Sequence, residues 1–348
     1  MFYRVIGLMS GTSLDGLDIA CCEFEKQDGK WLWSICNAET IEYEAETRQR
    51  ILDCEHCDSE TFAYNSVWLG HLFGKLTSDF IKRHSIEPNF ISSHGQTIFH
   101  QPNKQFTTQI ADINAIAAET KCSVIGNFRS LDVALGGQGA PLVPIGDRLL
   151  FAEFPFCVNL GGFGNISFEQ NGKRIAYDIC PVNMVLNLLV QDLDLPYDNN
   201  GLLASKGTIN HLLLDKLNSL PFYTESKAKS LGKEWVISNI LPLLEQSESN
   251  TEDLLATFCE HISTQIASHI KGKALITGGG AYNSFLISRI KNKTPHQIYI
   301  PSSQIVNYKE ALIFAFLGVL RYRGEINVLS SMTGATSDSC SGETVLYL

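Results

Sequence analysis

One short pattern occurs twice in the chain and limits its fold more than any other feature. An apolar strand, a turn rich in Gly and hydroxyl side chains, and a returning strand occupy Val5–Phe24, and the same order recurs at Val158–Phe168. Apolar runs separated by such turns predict paired antiparallel strands at both places. Two copies this far apart indicate a duplicated domain and disfavour short-period repeat arrays.

Helical patterns and further strands follow each copy. Apolar residues recur at three- and four-residue spacing over Thr61–His84, which predicts an amphipathic helix. The order of strands and helices favours an α/β fold with mixed sheets covered by helices. Because no linker rich in Pro or Ser separates the halves, we expect two lobes with a cleft between them. We place one lobe at residues 1–128 and the other at residues 129–348, whose last segment could also pack back on the first lobe.

Composition removes several classes of partner. The chain has 27 Lys and Arg against 37 Asp and Glu, a net charge of −10, which disfavours a nucleic-acid partner. The longest apolar run, Ala311–Leu320, has ten residues, about half of what a membrane-spanning helix needs. Because the N-terminus lacks the pattern of a secretory signal, we expect a cytoplasmic location without a membrane partner. Most of the ten cysteines lie in apolar runs, Cys36 among them, which favours buried reduced thiols.

The first Gly-rich turn, residues 11–18, reads GTSLDGLD. Its glycines allow close approach of the backbone, and its hydroxyls add donors, so a phosphate could bind here. The turn is not a Walker loop, because Leu17 and Asp18 stand where that motif has Lys and Ser or Thr, and a strand follows instead of a helix. An ordinary hairpin turn is the alternative.

Two further Gly clusters strengthen the case for a ligand. Gly161 and Gly162, followed by Asn165, occupy the turn of the second repeat. The run Gly278–Gly280 ends a predicted strand and precedes a helix, which suits a ribose or a phosphate at a helix start. Isolated turns need single glycines, whereas three clusters at strand ends favour a phosphate-bearing ligand.

Three polar residues follow predicted strands and each allows two interpretations. His94 is either a general base or a packing residue of a Gly turn. Arg129 either grips a carboxylate bidentately or forms a surface salt bridge. Asp178 is either a base that takes a proton from water or the N-cap of the next helix.

The sequence resembles the anhydro-N-acetylmuramic acid kinase family nearly from end to end. The motifs that carry the resemblance are GLMSGTSLDGLD at 7–18, HGQTI at 94–98, GGQGAPLVP at 136–144, NLGGFGNIS at 159–167 and TGGGAYN at 277–283. The resemblance implies two duplicated actin-like ATPase (ribonuclease H-like) lobes with mixed five-stranded sheets. It also implies ATP and Mg²⁺, and the conversion of 1,6-anhydro-N-acetylmuramic acid to N-acetylmuramic acid 6-phosphate in peptidoglycan recycling.

The resemblance also assigns roles to residues of this chain. Asp178 would be the base, and Thr97, Arg129 and Glu310 would bind the sugar. Mg²⁺ would be held near Asp15 through water, and the family often forms homodimers. The residues implied in ATP binding are Gly11, Thr12, Ser13, Leu14, Asp15, Gly16, Leu17, Asp18, Gly161, Gly162, Asn165, Gly278, Gly279 and Gly280.

One stretch departs from the family pattern. Where the family has Asp-Thr-Gly-Pro-Gly-Asn, residues 178–183 read DICPVN, so bulkier apolar groups replace two glycines and a hydroxyl beside the expected base. Two alternatives therefore stay open: a kinase of the same fold for another anhydro or amino sugar, and a nucleotide-binding sensor with little catalysis.

Overall fold

Strand meanders alternate with helices along the computed structural model, which describes residues 1–224 and 230–348. The strands are β1 (Phe2–Ser10), β2 (Gly16–Gln27), β3 (Lys30–Glu42), β4 (Phe90–Ser93), β5 (Gln96–Gln101), β6 (Phe106–Ile110), β7 (Val124–Gly126), β8 (Phe156–Leu160), β9 (Phe163–Gln170), β10 (Lys173–Pro181), β11 (Ala274–Thr277), β12 (Ile298–Tyr299) and β13 (Glu343–Val345). The helices are α1 (Ala45–Asp53), α2 (Ser59–His84), α3 (Ile113–Thr120), α4 (Ser130–Ala134), α5 (Pro144–Leu150), α6 (Asn183–Leu188), α7 (His211–Asn218), α8 (Pro221–Thr224), α9 (Lys233–Asn239), α10 (Leu241–Glu245), α11 (Thr251–His269), α12 (Ser284–Lys293), α13 (Ser303–Tyr322) and α14 (Ser330–Thr333).

The chain divides into two structural units. The first contains Met1–Phe151 and Tyr308–Leu348, and the second contains Ala152–Asn307. The boundary expected after residue 128 therefore lies inside the first unit. Residues 129–151 stay with that unit because they bond to it; for example, the Trp33 indole donates to the Leu150 carbonyl at 2.8 Å.

The sheet of the first unit has the strand order β13-β7-β4-β1-β2-β3. Strands β1, β2 and β3 form the predicted antiparallel meander, and β4 and β7 run parallel to β1. The expectation of five strands was wrong for this sheet. A sixth strand, β13, pairs antiparallel with β7 because the C-terminal segment returns to this unit.

The sheet of the second unit repeats the same connectivity. Its order is β10-β9-β8-β11-β12, with an antiparallel meander and two strands parallel to β8. Apart from β13, both sheets therefore run third, second, first, fourth and fifth strand. The predicted α/β class and the duplication are confirmed, and the second sheet has the five strands expected. The cleft stays a prediction.

Helix α13 fills the core of the first unit next to β1. Every residue of Ala311–Leu320 except Gly318 is an apolar residue with at most 1% of its surface exposed. A Cβ added at Gly7 of β1 would lie 2.0 Å from the Ala311 carbonyl oxygen, so only glycine fits where the strand meets this helix. Within the described residues, no helix is long and apolar enough to cross a membrane.

Some local expectations need correction. Strand β3 is one continuous strand against β2, although its register shifts at Cys21/Cys22. Strands β5 and β6 form a separate hairpin that the sequence did not indicate. All ten cysteines lie in the described residues and are free thiols, but Cys36 is exposed, since strand alternation turns it away from the core.

Candidate active site

The first Gly-rich turn joins β1 to β2 and is anchored on both sides. The Ser10 hydroxyl donates to Gln96 Oε1 at 2.5 Å and lies 2.6 Å from the Tyr43 hydroxyl. The Leu14 amide donates to the Gly11 carbonyl, with Leu14 at a positive φ of 56°. This anchoring holds the turn while its tip faces solvent. The exposed residues of the tip are Thr12, Ser13 and Asp15.

Two carboxyl groups of the first unit, Asp18 and Glu310, interact electrostatically. Asp18 Oδ1 accepts a hydrogen bond from the Thr40 hydroxyl at 2.6 Å. Burial, with a contribution from the Glu310 charge, raises the pKa of Asp18 to about 6. Glu310 keeps an accessible edge, yet the protein atoms around it desolvate the carboxyl and raise its pKa, against the opposing charges of Lys309 and Arg129. Asp18 can therefore keep its proton up to about pH 6.

The raised pKa of Asp18 makes a prediction about stability. The folded state keeps this proton up to about pH 6, whereas an unfolded Asp loses it near pH 3.8, so folding stability falls as pH rises through that window. Asp18→Asn removes this effect. We expect the variant to gain about 1–2 kcal/mol relative to wild type at pH 7, and to gain much less at pH 4, in urea unfolding.

The control for this experiment is Asp28→Asn. Asp28 is exposed in the turn between β2 and β3. Its substitution should change the free energy of unfolding by less than about 0.5 kcal/mol. An Asp18→Asn effect that is the same at pH 4 and pH 7 would contradict the raised pKa.

Arg129 lies in the first unit, where its described hydrogen bonds go to a histidine and a backbone carbonyl. Its Nε and Nη2 atoms lie 3.1 and 2.8 Å from His94 Nε2, and Nη1 donates to the Gly139 carbonyl at 2.7 Å. Burial lowers the pKa of Arg129 to about 10, and the Glu310 charge opposes that effect. The guanidinium is therefore still a cation at neutral pH. The surface salt bridge proposed as an alternative is not among its described contacts.

Thr97 stands on β5, with Gln109 of β6 as its cross-strand partner. The Gln109 amide donates to the Thr97 hydroxyl oxygen at 3.3 Å and to Thr107 at 2.8 Å. Because the Thr97 oxygen accepts, its own hydrogen is left to donate to a ligand. Sequence reasoning missed Gln109, which only the register of this unexpected hairpin places beside Thr97.

Asp178 lies within β10 of the second unit. The helix-cap interpretation was wrong, because Val182 occupies the N-cap position of α6. Asp178 Oδ2 accepts hydrogen bonds from the Leu231 amide at 2.8 Å and the Ser230 hydroxyl at 3.3 Å. Burial raises the pKa of Asp178, and these two bonds partly oppose it. A fixed carboxylate with a raised pKa is a suitable proton acceptor.

The second and third Gly clusters meet at the carboxyl ends of β8 and β11. The Gly161 and Gly162 carbonyls accept from the amides of Asn183 and Val182, at 3.1 and 2.8 Å. A Cβ at Gly278 would lie 2.5 Å from the Asn159 side-chain oxygen. Asn165 pairs with Asp178 across β9 and β10. Ligands of α/β sheets bind at such strand ends.

The residues that depart from the family pattern point into the core. Ile179, Cys180 and Val182 are fully buried among the apolar residues of the second unit. A register shift between Asp178 and Cys180 allows consecutive side chains to turn inward. The bulk added at these positions therefore packs in the core, and Asp178 stays partly accessible.

Gly278 makes a test of the strand-end turn possible. Its φ is +83°, and an added Cβ would also lie 2.9 Å from the Leu160 backbone. Gly278→Ala should lower the free energy of unfolding by about 1–3 kcal/mol, measured by thermal unfolding.

Gly162→Ala is the matched control, since no described atom lies within 4 Å of a Cβ built there. It should leave stability unchanged or raise it slightly. Equal losses in the two variants would mean that backbone space at Gly278 does not hold the turn in place.

The residues present fit Mg²⁺ only in a limited way. In the described part of the chain, no three His, Cys, Asp or Glu side chains come together as a metal site. Mg²⁺ commonly uses one or two carboxylates with waters and substrate phosphates. Asp15, exposed on the first turn, supplies one such carboxylate.

Two α/β units of one strand order, each with Gly-rich turns at its strand ends, place the chain in the class of duplicated folds that includes the sugar kinases. The family model described as anhydro-N-acetylmuramic acid kinase matches residues 3–346. The chain belongs to the anhydro-N-acetylmuramic acid kinase family.

Two relatives agree with that result. The chain is 34% identical over 368 residues to the anhydro-N-acetylmuramic acid kinase of Haemophilus influenzae, covering 95% of each chain. It is 35% identical over 363 residues to that of Vibrio cholerae, again covering 95% of each. Among solved structures, component A of the (R)-2-hydroxyglutaryl-CoA dehydratase of Acidaminococcus fermentans has a TM-score of 0.48 and 12% identity, covering 90% of this chain and 96% of that one.

Proposed function

We propose that this protein is an ATP-dependent kinase that opens 1,6-anhydro-N-acetylmuramic acid with water and phosphorylates it to N-acetylmuramic acid 6-phosphate, for the recycling of peptidoglycan. The family match over residues 3–346 carries the proposal. The buried or anchored positions of Asp178, Thr97 and Arg129 support it.

Asp178 acts as the general base of the reaction. Water gives a proton to the Asp178 carboxylate while its oxygen bonds to the anomeric carbon, and the bond from that carbon to the bridging 6-oxygen breaks. The 6-oxygen takes the γ-phosphoryl group, and ADP leaves. Coupling the two events avoids a free alkoxide, so the protein contributes mainly positioning and charge stabilisation. The hydrogen bonds from Leu231 and Ser230 aim the base.

The first unit binds the sugar through three different groups. The Arg129 cation pairs with the lactyl carboxylate. The Thr97 hydroxyl, with its oxygen occupied by Gln109, donates to a sugar oxygen. Glu310, with a raised pKa, exchanges hydrogen bonds with sugar hydroxyls as acceptor or donor according to its protonation.

ATP binds to the Gly-rich turns. Residues Gly11–Asp18 offer amides and hydroxyls to the phosphates, and Gly161, Gly162, Asn165 and Gly278–Gly280 supply the strand-end surface of the second unit. Asp15 would hold a Mg²⁺ ion through water, and the ion would supply positive charge to the phosphates of the nucleotide. A reaction that consumes ATP fits the cytoplasm, and a homodimer stays a prediction.

The test incubates the full chain with Mg-ATP and 1,6-anhydro-N-acetylmuramic acid and measures ADP and sugar phosphate together. Equal amounts of both, formed only with the sugar present, are expected. If product forms with 1,6-anhydro-N-acetylglucosamine and not with 1,6-anhydro-N-acetylmuramic acid, the result would contradict the proposal and favour a kinase of the same fold for another sugar. Nucleotide binding without turnover would favour the sensor alternative and would contradict the proposal.

A further inference from the structure

His94 ends β4 of the first unit and is enclosed by protein. Only 5% of its surface is exposed, and its ring lies 4.5 Å from the ring of Phe314, centroid to centroid. One ring nitrogen, Nδ1, lies 2.9 Å from the Gly95 carbonyl oxygen. Because a carbonyl can only accept, Nδ1 carries the hydrogen, and Nε2 is left as an acceptor.

The free electron pair of Nε2 is directed at Arg129. Both Nε and Nη2 of the guanidinium approach it, at 3.1 and 2.8 Å. Burial and the nearby Arg129 charge lower the pKa of His94 to about 3. The imidazole is therefore neutral at physiological pH, and its basic nitrogen is occupied. This arrangement is unsuited to the general-base role considered from the sequence.

The contacts of Arg129 leave a defined part of its fork for a ligand. A guanidinium has five N–H hydrogens. In the described structure His94 takes one from Nε and one from Nη2, and the Gly139 carbonyl takes one from Nη1. One hydrogen remains on each of Nη1 and Nη2. Two donors on neighbouring nitrogens match the two oxygens of a carboxylate.

We propose that His94 is a positioning residue, which holds the Arg129 guanidinium so that its remaining N–H groups select the carboxylate of the acidic sugar. The inference rests on the proposed function and deepens it, because it assigns the recognition of the acidic group to a pair of residues. Arg has many rotamers, and fixing the fork before the ligand arrives reduces the entropy lost on binding. His94 then affects the affinity for carboxylate-bearing sugars and does not affect the rate of the chemical step.

Steady-state kinetics of three His94 variants test this inference. His94→Gln carries a carbonyl oxygen at about the reach of Nε2, whereas His94→Asn carries it near Nδ1, and His94→Leu has no acceptor. We expect Leu and Asn to raise the KM for 1,6-anhydro-N-acetylmuramic acid by about 10- to 100-fold, with kcat and the KM for ATP within about threefold of wild type. Gln should restore most of the affinity.

A carboxylate-free competitor separates positioning from general damage. The inhibition constant of 1,6-anhydro-N-acetylglucosamine, which lacks the lactyl group, should be the same in all four proteins. In an Arg129→Gln background, His94→Leu should add no further effect on KM. Should the Leu variant fail to fold, the contrast between Gln and Asn still decides.

Equal KM values for the Gln and Asn variants would overturn the inference, and so would equal weakening of the binding of both sugars. A kcat lower by 100-fold or more with KM unchanged would instead return His94 to the role of a base. Wild-type turnover tests the proposed function separately. Active wild type with unaffected variants contradicts only the positioning role.

Discussion

Asp178→Asn should reduce kcat by about 10²- to 10⁴-fold and leave ATP affinity within about twofold of wild type. Asn keeps the size of the side chain and an oxygen that can accept from the Leu231 amide, so the turn should stay in place. What it lacks is a basic oxygen for the proton of the attacking water. The measurements are sugar-dependent ADP release and calorimetric titration with ATP.

Asp215→Asn provides the matched control for this substitution. Asp215 is exposed on α7 of the same unit. The change removes one carboxylate from the second unit and should leave kcat unchanged. Ser230→Ala, which removes the weaker 3.3 Å hydrogen bond to Oδ2, should lower kcat only a few-fold. Turnover within tenfold of wild type in Asp178→Asn would exclude Asp178 as the base.

The strand-end clusters could be predicted from sequence because their physical requirements are local. A glycine at positive φ, such as Gly278, or one packed against backbone, such as Gly7, reflects a geometry that few other residues allow. The pattern of strand, turn and returning strand likewise identified the pairs β1–β2 and β8–β9. Features that depend only on residues close in sequence could therefore be predicted.

The pairing of side chains from distant segments could not be predicted from the sequence. His94 and Arg129 are 35 residues apart, and their bond depends on β4 and β7 ending at the same edge of the sheet. The role of Gln109 beside Thr97 depends on a hairpin register that no turn residue indicated. The placement of residues 129–151 in the first unit depends on distant contacts in the same way, for example the bond from the Trp33 indole to the Leu150 carbonyl.

Helix α13 connects the stability of the first unit with its candidate site. Three consecutive residues of this helix have different roles. Lys309 forms a buried ion pair, Glu310 interacts electrostatically with Asp18, and Ala311 packs against Gly7. Burial raises the pKa of the neighbouring Glu310 carboxyl and the Lys309 charge lowers it, so the ion pair and this candidate sugar-binding group are coupled. Substitutions at Lys309 should therefore alter both stability and sugar binding.

The second large effect is expected from the ion pair between Lys309 and Asp147. The atoms Nζ and Oδ1 are 2.6 Å apart, and the side chains are only 7% and 5% exposed. Asp147→Ala removes the carboxylate that faces a buried ammonium. Because less of the desolvation cost of the remaining ammonium is then offset, the free energy of unfolding should fall by about 3–5 kcal/mol, measured in urea.

Replacing both members of the pair separates charge from packing. The double variant Asp147→Ala with Lys309→Met buries no charge and should recover a large part of the loss. The exposed pair of Asp79 and Lys82, 3.6 Å apart, is the control, and Asp79→Asn should change stability by less than about 0.5 kcal/mol. If Asp147→Ala costs no more than this surface substitution, the ion pair does not stabilise the first unit.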